Sequence, residues 1–278
     1  MKKYLAAAII AILANTVCAE NIAVKATPET LLKESGCLNI IKGDDEEKTN
    51  CYEYEYQLLK TNVDWLNKIL AADMYSCFDK KEKYKEDMDL KQAAQKHFEA
   101  SIDATKETIK ETETLSADSE TYKQEYIGQR YNIVQFRTYE SEYNAGAAHP
   151  MSGYDYQVFD LEKEKQLSLK DIIERSKEKH LKRLLKNKYA EYMITNDFFQ
   201  EECAKDYNCM DEKAHKTAEE VFYVREKEEL SSYSSFYFTA DGITFSFPPY
   251  AIAAYSYGQI DLNIEYEKLR GVVREEYL

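Results

Sequence analysis

Alternating aromatic and polar positions near the C-terminus predict a β-hairpin and a third strand beside it. Apolar side chains occupy every second position in residues 236–238 and 243–247, on either side of Asp241-Gly242. An Asp-Gly pair between two alternating runs is typical of a tight hairpin turn. Two prolines then end the second strand, because proline has no N–H group to donate to a neighbouring strand. The alternating apolar residues of the predicted third strand are Ile260, Leu262 and Ile264.

The middle of the chain has the same alternation and then changes to helical spacing. Residues 121–143 predict two strands and residues 153–167 predict another, because they are rich in β-branched and aromatic side chains. Ser168 and Asp171 have the spacing of a capping box, so we expect a helix to begin there and to continue through Leu185. Strands, then helices, then strands predict an α+β domain over residues 120–278, with an antiparallel sheet and packed helices.

The N-terminal region, residues 20–115, is predicted to be helical. From about residue 50, apolar residues recur at intervals of three and four in two segments that a charged stretch separates. Two such segments predict a helical hairpin, and the Thr/Glu-rich residues 105–121 predict a linker to the next domain. The apolar positions are Leu59, Val63, Leu66 and Leu70 in the first helix and Leu90, Ala94, Phe98 and Ile102 in the second.

Charge and tyrosine content narrow the classes of partner. The 278 residues have a formal net charge of −14, and 44% of them are hydrophobic, which is enough for a core. Phosphate binding needs clustered Lys and Arg, so we expect no nucleic acid partner, and a basic protein is favoured. The 24 tyrosines are typical of a binding surface, since each combines a rigid apolar ring with a hydroxyl. Two alternatives stay open: the charge serves only solubility, and the tyrosines reflect an AT-rich genome.

The first 19 residues predict a secretory signal peptide. Lys2 and Lys3 precede an apolar run over residues 5–14, and small residues follow up to Ala19. We therefore expect cleavage before Glu20 and a periplasmic or secreted protein. In the alternative, Cys18 is a lipoprotein cysteine that anchors the chain. The apolar run is too short for a transmembrane helix, and no other segment reaches the ~20 apolar residues that a span needs.

Five cysteines follow the predicted cleavage point, so an exported protein is expected to contain disulfides and one cysteine left over. Cys203 and Cys209, six residues apart in a polar loop, form the first predicted pair. Cys37 and Cys51 bracket another polar loop and form the second. Cys77 is then unpaired, or it replaces one of these two.

No metal site, cofactor or catalytic centre is expected. The sequence has no Cys-x-x-Cys, no His-Glu-x-x-His, no Gly-x-Ser-x-Gly and no glycine-rich phosphate loop. Glycoside hydrolases use a pair of carboxylates for catalysis. In a chain that has 51 acidic residues, however, finding two carboxylates close together would not indicate such an enzyme. The sequence therefore favours a binding protein over an enzyme.

Two segments resemble the C-terminal extracellular domain of RsiV-type anti-sigma factors. They are NAGAAHPMSGYDYQVFDLEKEKQLSLKDII, residues 144–173, and SSFYFTADGITFSFPPYAIAAYSYGQIDLNIE, residues 234–265. The resemblance implies an envelope protein that binds lysozyme, because RsiV is a lysozyme receptor. The same domain occurs in some polysaccharide deacetylases, whose separate catalytic module is not recognisable here. A sigma-binding segment is not recognisable either, so we expect only the binding function.

The resemblance also implies which residues meet the partner. In RsiV-type domains, a loop after the first strands and a Pro-Tyr loop after the aromatic hairpin contribute to the surface that meets the lysozyme cleft. A proline-stiffened loop presents a tyrosine with little loss of conformational entropy. Alternatively, the prolines only form rigid turns and the tyrosines, including Tyr257, are core residues. The matching residues are His149, Pro150, Met151, Ser152, Pro248, Pro249, Tyr250 and Tyr255.

The helical region is similar to the LprI-type domain, a family that includes periplasmic lysozyme inhibitors. Cys37, Cys51, the segment 63–67 and the segment 90–98 carry this similarity. A two-helix extension of no particular family is the alternative. The favoured function is therefore an exported protein that binds lysozyme through an acidic, tyrosine-rich surface, and whether this binding also inhibits lysozyme stays open. A peptidoglycan- or polysaccharide-binding accessory module and an envelope enzyme with an unrecognised site are the alternatives.

Overall fold

Two β-sheets with helices packed against them confirm the predicted α+β class. The structure is a computed structural model that describes residues 22–39, 49–112, 118–195, 203 and 206–278. The predicted signal peptide, with Cys18, lies outside these residues. Among the helices described, none has the length and apolar character that a bilayer span requires.

The first sheet has six strands that follow one another across the sheet in chain order. Neighbouring strands are antiparallel except for β2 (Thr49–Thr61) and β3 (Ser119–Arg130), which are parallel. The antiparallel sheet predicted for residues 120–278 is confirmed, since the strand pairs within those residues are antiparallel, and the parallel pair arises because residues 49–61, predicted to be helical, add a strand to the sheet. A parallel pair needs a long connection, and two helices lie between these strands along the chain. The strands are β1 (Ala26–Asn39), β2 (Thr49–Thr61), β3 (Ser119–Arg130), β4 (Ile133–Tyr143), β5 (Met151–Asp160) and β6 (Lys165–Gln166).

Helices α1 (Asp64–Phe78) and α2 (Leu90–Thr112) cover one face of this sheet. Both were predicted, but residues 50–61 form strand β2, so the helical prediction is wrong there. Tyr54, Tyr56 and Leu58 are all buried at alternate positions, which is strand periodicity. Residues 105–112 continue α2 and residues 119–121 begin β3, so the predicted linker is wrong at both ends. Strands from either side of the predicted domain boundary share one sheet.

The C-terminal half forms a second core from a three-stranded sheet, the helices around it and side chains on the other face of the first sheet. Ile133 of β4 and Val158 of β5 join this second core, whereas their neighbours Val134 and Phe159 belong to the first core. Alternation of side chains along a strand explains this division. The C-terminal elements are α3 (Leu169–Ile172), α4 (Glu178–Thr195), α5 (Tyr207–Val224), β7 (Ser235–Phe238), β8 (Gly242–Phe247), β9 (Ile260–Glu265) and α6 (Tyr266–Leu269).

The predicted hairpin is confirmed. Strands β7 and β8 pair antiparallel, and the Thr239 N–H donates to the Gly242 carbonyl at 2.9 Å to close the turn. A Cβ atom at Gly242 would lie 2.2 Å from the Ile264 carbonyl oxygen, so no larger residue fits there. Pro248 follows the last residue of β8, and β9 pairs with β8 as the predicted third strand.

The capping box at Ser168 and Asp171 is confirmed, but the helix that it begins is short. The Ser168 N–H donates to the Asp171 carboxylate at 2.8 Å. Helix α3 ends at Ile172, because Ile173 is extended and forms an isolated bridge with Val273. The predicted helix through Leu185 is thus interrupted, and α4 begins only at Glu178.

Both predicted disulfides are present. Cys37 and Cys51 are opposite each other on β1 and β2, and Cys203 is bonded to Cys209. Cys209 lies in the first turn of α5, not in a loop as predicted. Cys77 of α1 is free. Disulfide bonds of this kind fit an oxidising compartment.

Two glutamine side chains join the C-terminal half to the first sheet. Gln135 of β4 accepts from the Phe238 N–H at 2.6 Å and donates to the Phe238 carbonyl at 3.1 Å. Gln259 makes the same pair of bonds with Tyr154 of β5, at 2.5 and 2.7 Å. The second pair places the segment that follows β8 beside the start of β5.

Candidate functional site

Three aromatic side chains from two distant loops form one surface cluster, which we call the aromatic rim: His149, Tyr250 and Tyr255. The rings of His149 and Tyr255 stack with a centroid distance of 3.7 Å. A hydrogen bond of 3.1 Å joins His149 Nε2 to the Tyr250 hydroxyl, although the residues are 101 positions apart. The Tyr255 hydroxyl donates to the Pro150 carbonyl. The structure thus brings the two predicted loops together.

The prolines and the backbone of Tyr250 shape this rim. The Ala251 N–H donates to the Pro248 carbonyl at 3.0 Å, which closes a tight turn. Within that turn Tyr250 has a φ of 68°, a left-handed conformation that costs about 1 kcal/mol or more for a residue other than glycine. Its side chain is nevertheless 54% exposed. The turn therefore directs a large aromatic side chain to solvent.

The other residues that were predicted to meet the partner, and Tyr257, lie outside the aromatic rim. Met151 is 44% exposed and Ser152 is half-buried, and both line a cleft beside the rim. Pro248 and Pro249 line the same cleft. Tyr257, the third tyrosine considered, is partly buried and packs against the second core. The alternative that the tyrosines are core residues thus applies to Tyr257 and not to Tyr250.

The cleft beside the rim has a volume of about 680 Å³ and is rich in carboxylates. One wall comes from α1 and α2, the floor from β3, β4 and β5, and the opposite wall from the residues before β7 and after β8. Lys80 is the lone lysine or arginine among the described residues that line it. We call it the acidic cleft, after its four lining carboxylates: Glu120, Glu140, Glu142 and Asp155.

A fifth carboxylate, Asp73, lies between α1 and β3, next to the cleft. The Tyr122 hydroxyl donates to it at 2.7 Å and the Gln124 amide at 3.4 Å. Burial raises the pKa of Asp73 above its ordinary value, and these hydrogen bonds oppose the shift only in part. Burial likewise raises the pKa of the Tyr122 hydroxyl.

Glu140 and Asp155 reach solvent through the mouth of the cleft, but its walls limit their hydration. Reduced hydration raises the pKa of both groups, and repulsion adds to it, between Glu140 and Asp155 and between each of them and Asp73. The cleft therefore brings like charges close together, although Glu140 and Asp155 are exposed residues.

Glu120 differs from these groups because it has two partners. His97 Nε2 lies 2.9 Å from its carboxylate, and the Tyr56 hydroxyl donates to it at 3.0 Å. The hydrogen bond to Glu120 raises the pKa of His97. A protonated His97 therefore offsets the charge of Glu120 at one side of the cleft.

The acidic cleft was not predicted from the sequence. Its signal is polar residues at strand positions that face a core: Gln124 on β3, Thr138 on β4 and Gln157 on β5 are all buried. Thr138 is opposite Gln124 on one side and Asp155 on the other, so these residues form a row across three strands. Finding this row requires the register between the strands, which alternation within each strand does not provide.

Comparison with known proteins supports the fold. Residues 162–267 match a family described as "Protein of unknown function (DUF3298)". That match includes the Pro248–Tyr250 turn and Tyr255 and excludes His149. No curated protein matches the chain.

Two solved structures from the DUF3298 family are similar over nearly the whole chain. One is from Bacteroides fragilis, with 17% identity and a TM-score of 0.61, and the similarity covers 90% of this chain and 94% of that one. The other is from Pseudomonas aeruginosa PAO1, with 17% identity and a TM-score of 0.54, and covers 90% and 95%. At this identity the likeness establishes the fold alone.

Proposed function

We propose that this protein is exported and that it binds and inhibits lysozyme through the aromatic rim and the acidic cleft. The observation that carries the proposal is the convergence of the two loops at the mouth of a cleft lined by carboxylates. These are the loops that the resemblance to RsiV-type domains relates to a lysozyme-binding surface. The finer resemblance to RsiV-type and LprI-type domains is part of this proposal.

The rim has the physical properties of a binding hot spot. Tyr250 exposes a large ring, and its hydroxyl is hydrogen-bonded to His149. The N–H of the next residue, Ala251, donates to the Pro248 carbonyl and closes the turn. A side chain held in this way loses little conformational entropy when it enters a groove. Tyrosines at the centre of an interface often contribute ~2 kcal/mol or more to binding.

The charge of the protein favours a basic partner such as lysozyme. The chain has a formal net charge of −14, and the acidic cleft concentrates carboxylates beside the rim. Opposite charges accelerate the encounter of two proteins, and this effect weakens as salt screens the charges. The two disulfides are consistent with an encounter outside the cytoplasm, and the predicted signal peptide supports the same compartment.

A binding assay with lysozymes of the C, G and I types tests the proposal. Calorimetry with the purified mature protein should give binding to at least one type, and the same complex should slow cell-wall lysis. The dissociation constant should rise steeply with salt. Absence of binding to all three types at low salt would refute the proposal.

A peptidoglycan- or polysaccharide-binding role is the second candidate. The stacked rings of His149 and Tyr255, beside the exposed Tyr250, resemble a platform on which a sugar ring can stack. Neutral glycan binding should change little with salt, because no charge pairs form. Pull-down with purified peptidoglycan at low and high salt therefore separates the two candidates.

A further inference from the structure

Helix α4 and the turn before it have a charge opposite in sign to that of the whole chain. The sequence has 51 acidic residues and 37 Lys and Arg, yet residues 175–188 contain seven Lys or Arg and one acidic residue, Glu178. Lys179, Arg183 and Lys186 follow one another at intervals of four and three, so they lie along one side of α4. A groove of about 770 Å³ separates this side from α5.

Most glutamates of this groove have partners within the protein, whereas several of its cations have none. Four ion pairs involve lining glutamates: Glu178 with Lys182, Glu219 with Lys186, Glu228 with Arg225 and Glu229 with Lys170. Among the described residues, Glu226 is the lining glutamate that has no ion pair. Four lining cations are exposed and form no ion pair with any residue that the structure describes: Arg175, Lys179, Arg183 and Lys227. The groove thus offers four cations and one anion to an external partner.

Two exposed apolar side chains lie next to these cations, in the last turn of α5. Tyr223 is 72% exposed and lines the groove together with Lys179 and Arg183. Val224, the next residue, is 77% exposed. Single exposed apolar residues are ordinary on a protein surface. An adjacent pair beside unpaired cations is instead typical of a surface that meets a bilayer.

The combination of charge and apolar area favours a lipid surface over a soluble polyanion. Lys and Arg are attracted to anionic head groups, and their aliphatic stems pack along apolar surface. Tyrosine is enriched at the level of the head groups, where its ring and its hydroxyl are both satisfied. A polysaccharide or a nucleic acid would neutralise the cations, but it would leave Val224 in water. Only a bilayer accommodates both kinds of side chain.

We propose that the α4–α5 surface, which consists of the four unpaired cations with Tyr223 and Val224, binds a bilayer that contains anionic phospholipids. This inference does not depend on the proposed function, and the groove shares no lining residue with the acidic cleft. The formal net charge of −14 repels the rest of the protein from anionic lipid. The protein therefore meets the bilayer through this surface.

Co-sedimentation with vesicles at low ionic strength tests the cations. The mature protein should bind phosphatidylcholine vesicles that contain about one-third phosphatidylglycerol and should not bind vesicles of phosphatidylcholine alone. Lys179→Gln/Arg183→Gln should weaken this binding about tenfold or more. The control Lys83→Gln/Lys96→Gln removes the same charge from two exposed lysines of the N-terminal half and should change it less than about twofold. Thermal melts establish that both variants fold. Equal binding by the two variants, or no binding to the anionic vesicles, overturns the proposal.

A second set of variants separates a bilayer from a soluble polyanion. Tyr223→Ser/Val224→Ser keeps every charge and should weaken vesicle binding about fivefold or more, because less apolar area enters the head-group region. Its binding to dextran sulfate should equal that of the wild-type protein. Tyr207→Ser is the control, since Tyr207 is 62% exposed at the other end of α5, and it should bind the vesicles as the wild-type protein does. Unchanged vesicle binding by Tyr223→Ser/Val224→Ser would show that the surface binds anions in general, and the bilayer proposal would then be wrong.

Discussion

The aromatic rim and the acidic cleft are adjacent, but they are stabilised in opposite ways. In the rim, His149, Tyr250 and Tyr255 satisfy one another through stacking and hydrogen bonds. In the cleft, Glu140 and Asp155 repel each other and have no counter-ion among the described residues. The rim is thus preorganised for contact, whereas the cleft holds carboxylates that repel one another.

A carboxylate in a third region, the capping box of α3, provides a comparison for the carboxylates of the cleft. Asp171 at the start of α3 accepts hydrogen bonds from Ser168 and pairs with Lys165. Burial opposes its ionisation, but these partners outweigh burial and lower its pKa to about 2. The same functional group therefore stabilises the fold in the capping box and destabilises it in the cleft. Carboxylates kept where they reduce stability are typical of functional sites.

The largest expected effect concerns the rim. Tyr250→Ala should weaken lysozyme binding roughly thirtyfold, about 2 kcal/mol, because an exposed tyrosine in a preformed turn acts as a hot spot. The melting temperature should not fall, since the ring is mostly solvent-exposed. Calorimetry and a thermal melt measure the two quantities. Tyr223→Ala is the control, because Tyr223 is 72% exposed and lies on α5. Unchanged affinity in a folded Tyr250→Ala protein would contradict the role of the rim.

A pair of carboxylate variants should change stability in opposite directions. Asp171→Asn should lower the free energy of unfolding by about 1 kcal/mol, because it weakens the capping box and removes the Lys165 ion pair. Glu140→Gln should raise it, by no more than about 0.5 kcal/mol, because it removes repulsion at a group that solvent partly screens. Chemical denaturation measures both. A loss of stability in Glu140→Gln would mean that the cleft is not electrostatically strained.

The pH dependence of these two variants should separate the two kinds of carboxylate. The pKa of Asp171 is lowered in the folded state, so its contribution is complete above about pH 4 and is lost as the pH falls towards about 2. The pKa of Glu140 is raised in the folded state, so its penalty is present at neutral pH and disappears as the pH falls through the folded-state pKa.

Melting temperatures of the wild-type protein and both variants across this range provide the measurement. The advantage of Glu140→Gln should be greatest near neutral pH and should vanish in mild acid. The deficit of Asp171→Asn should persist in mild acid and shrink only at lower pH. A Glu140→Gln advantage that does not depend on pH would show that charge is not its cause.

The last prediction is that the protein has no catalytic turnover on cell-wall glycans. Carboxylates in a cleft also occur in glycoside hydrolases, so the purified protein should be assayed on peptidoglycan and on neutral glycans. We expect no hydrolysis or deacetylation, because the proposed function uses these carboxylates to attract a basic partner protein. Turnover that co-purifies with the protein and is lost in Glu140→Gln would replace the binding role with a catalytic one.

Some of this architecture followed from local sequence. The hairpin at Asp241-Gly242, the capping box at Ser168 and the end of β8 at Pro248 each depend on residues close together in the chain, so patterns alone predicted them. Strand β2 was missed because Leu59, Val63 and Leu66 fit helical spacing while Tyr54, Tyr56 and Leu58 fit strand spacing. Burial on the first sheet decided between these two periods.

The sequence by itself determined which chemical groups are available. They are two proline-containing loops, an excess of carboxylates and tyrosines next to the prolines. Only the tertiary structure decided which of these residues meet. The acidic cleft draws Cys77 and His97 from the helices, Glu120, Glu140 and Asp155 from three strands, and Pro248 from the C-terminal half. Strand register and helix packing set those distances, because a shift of one residue in a strand would turn each carboxylate to the other face of the sheet.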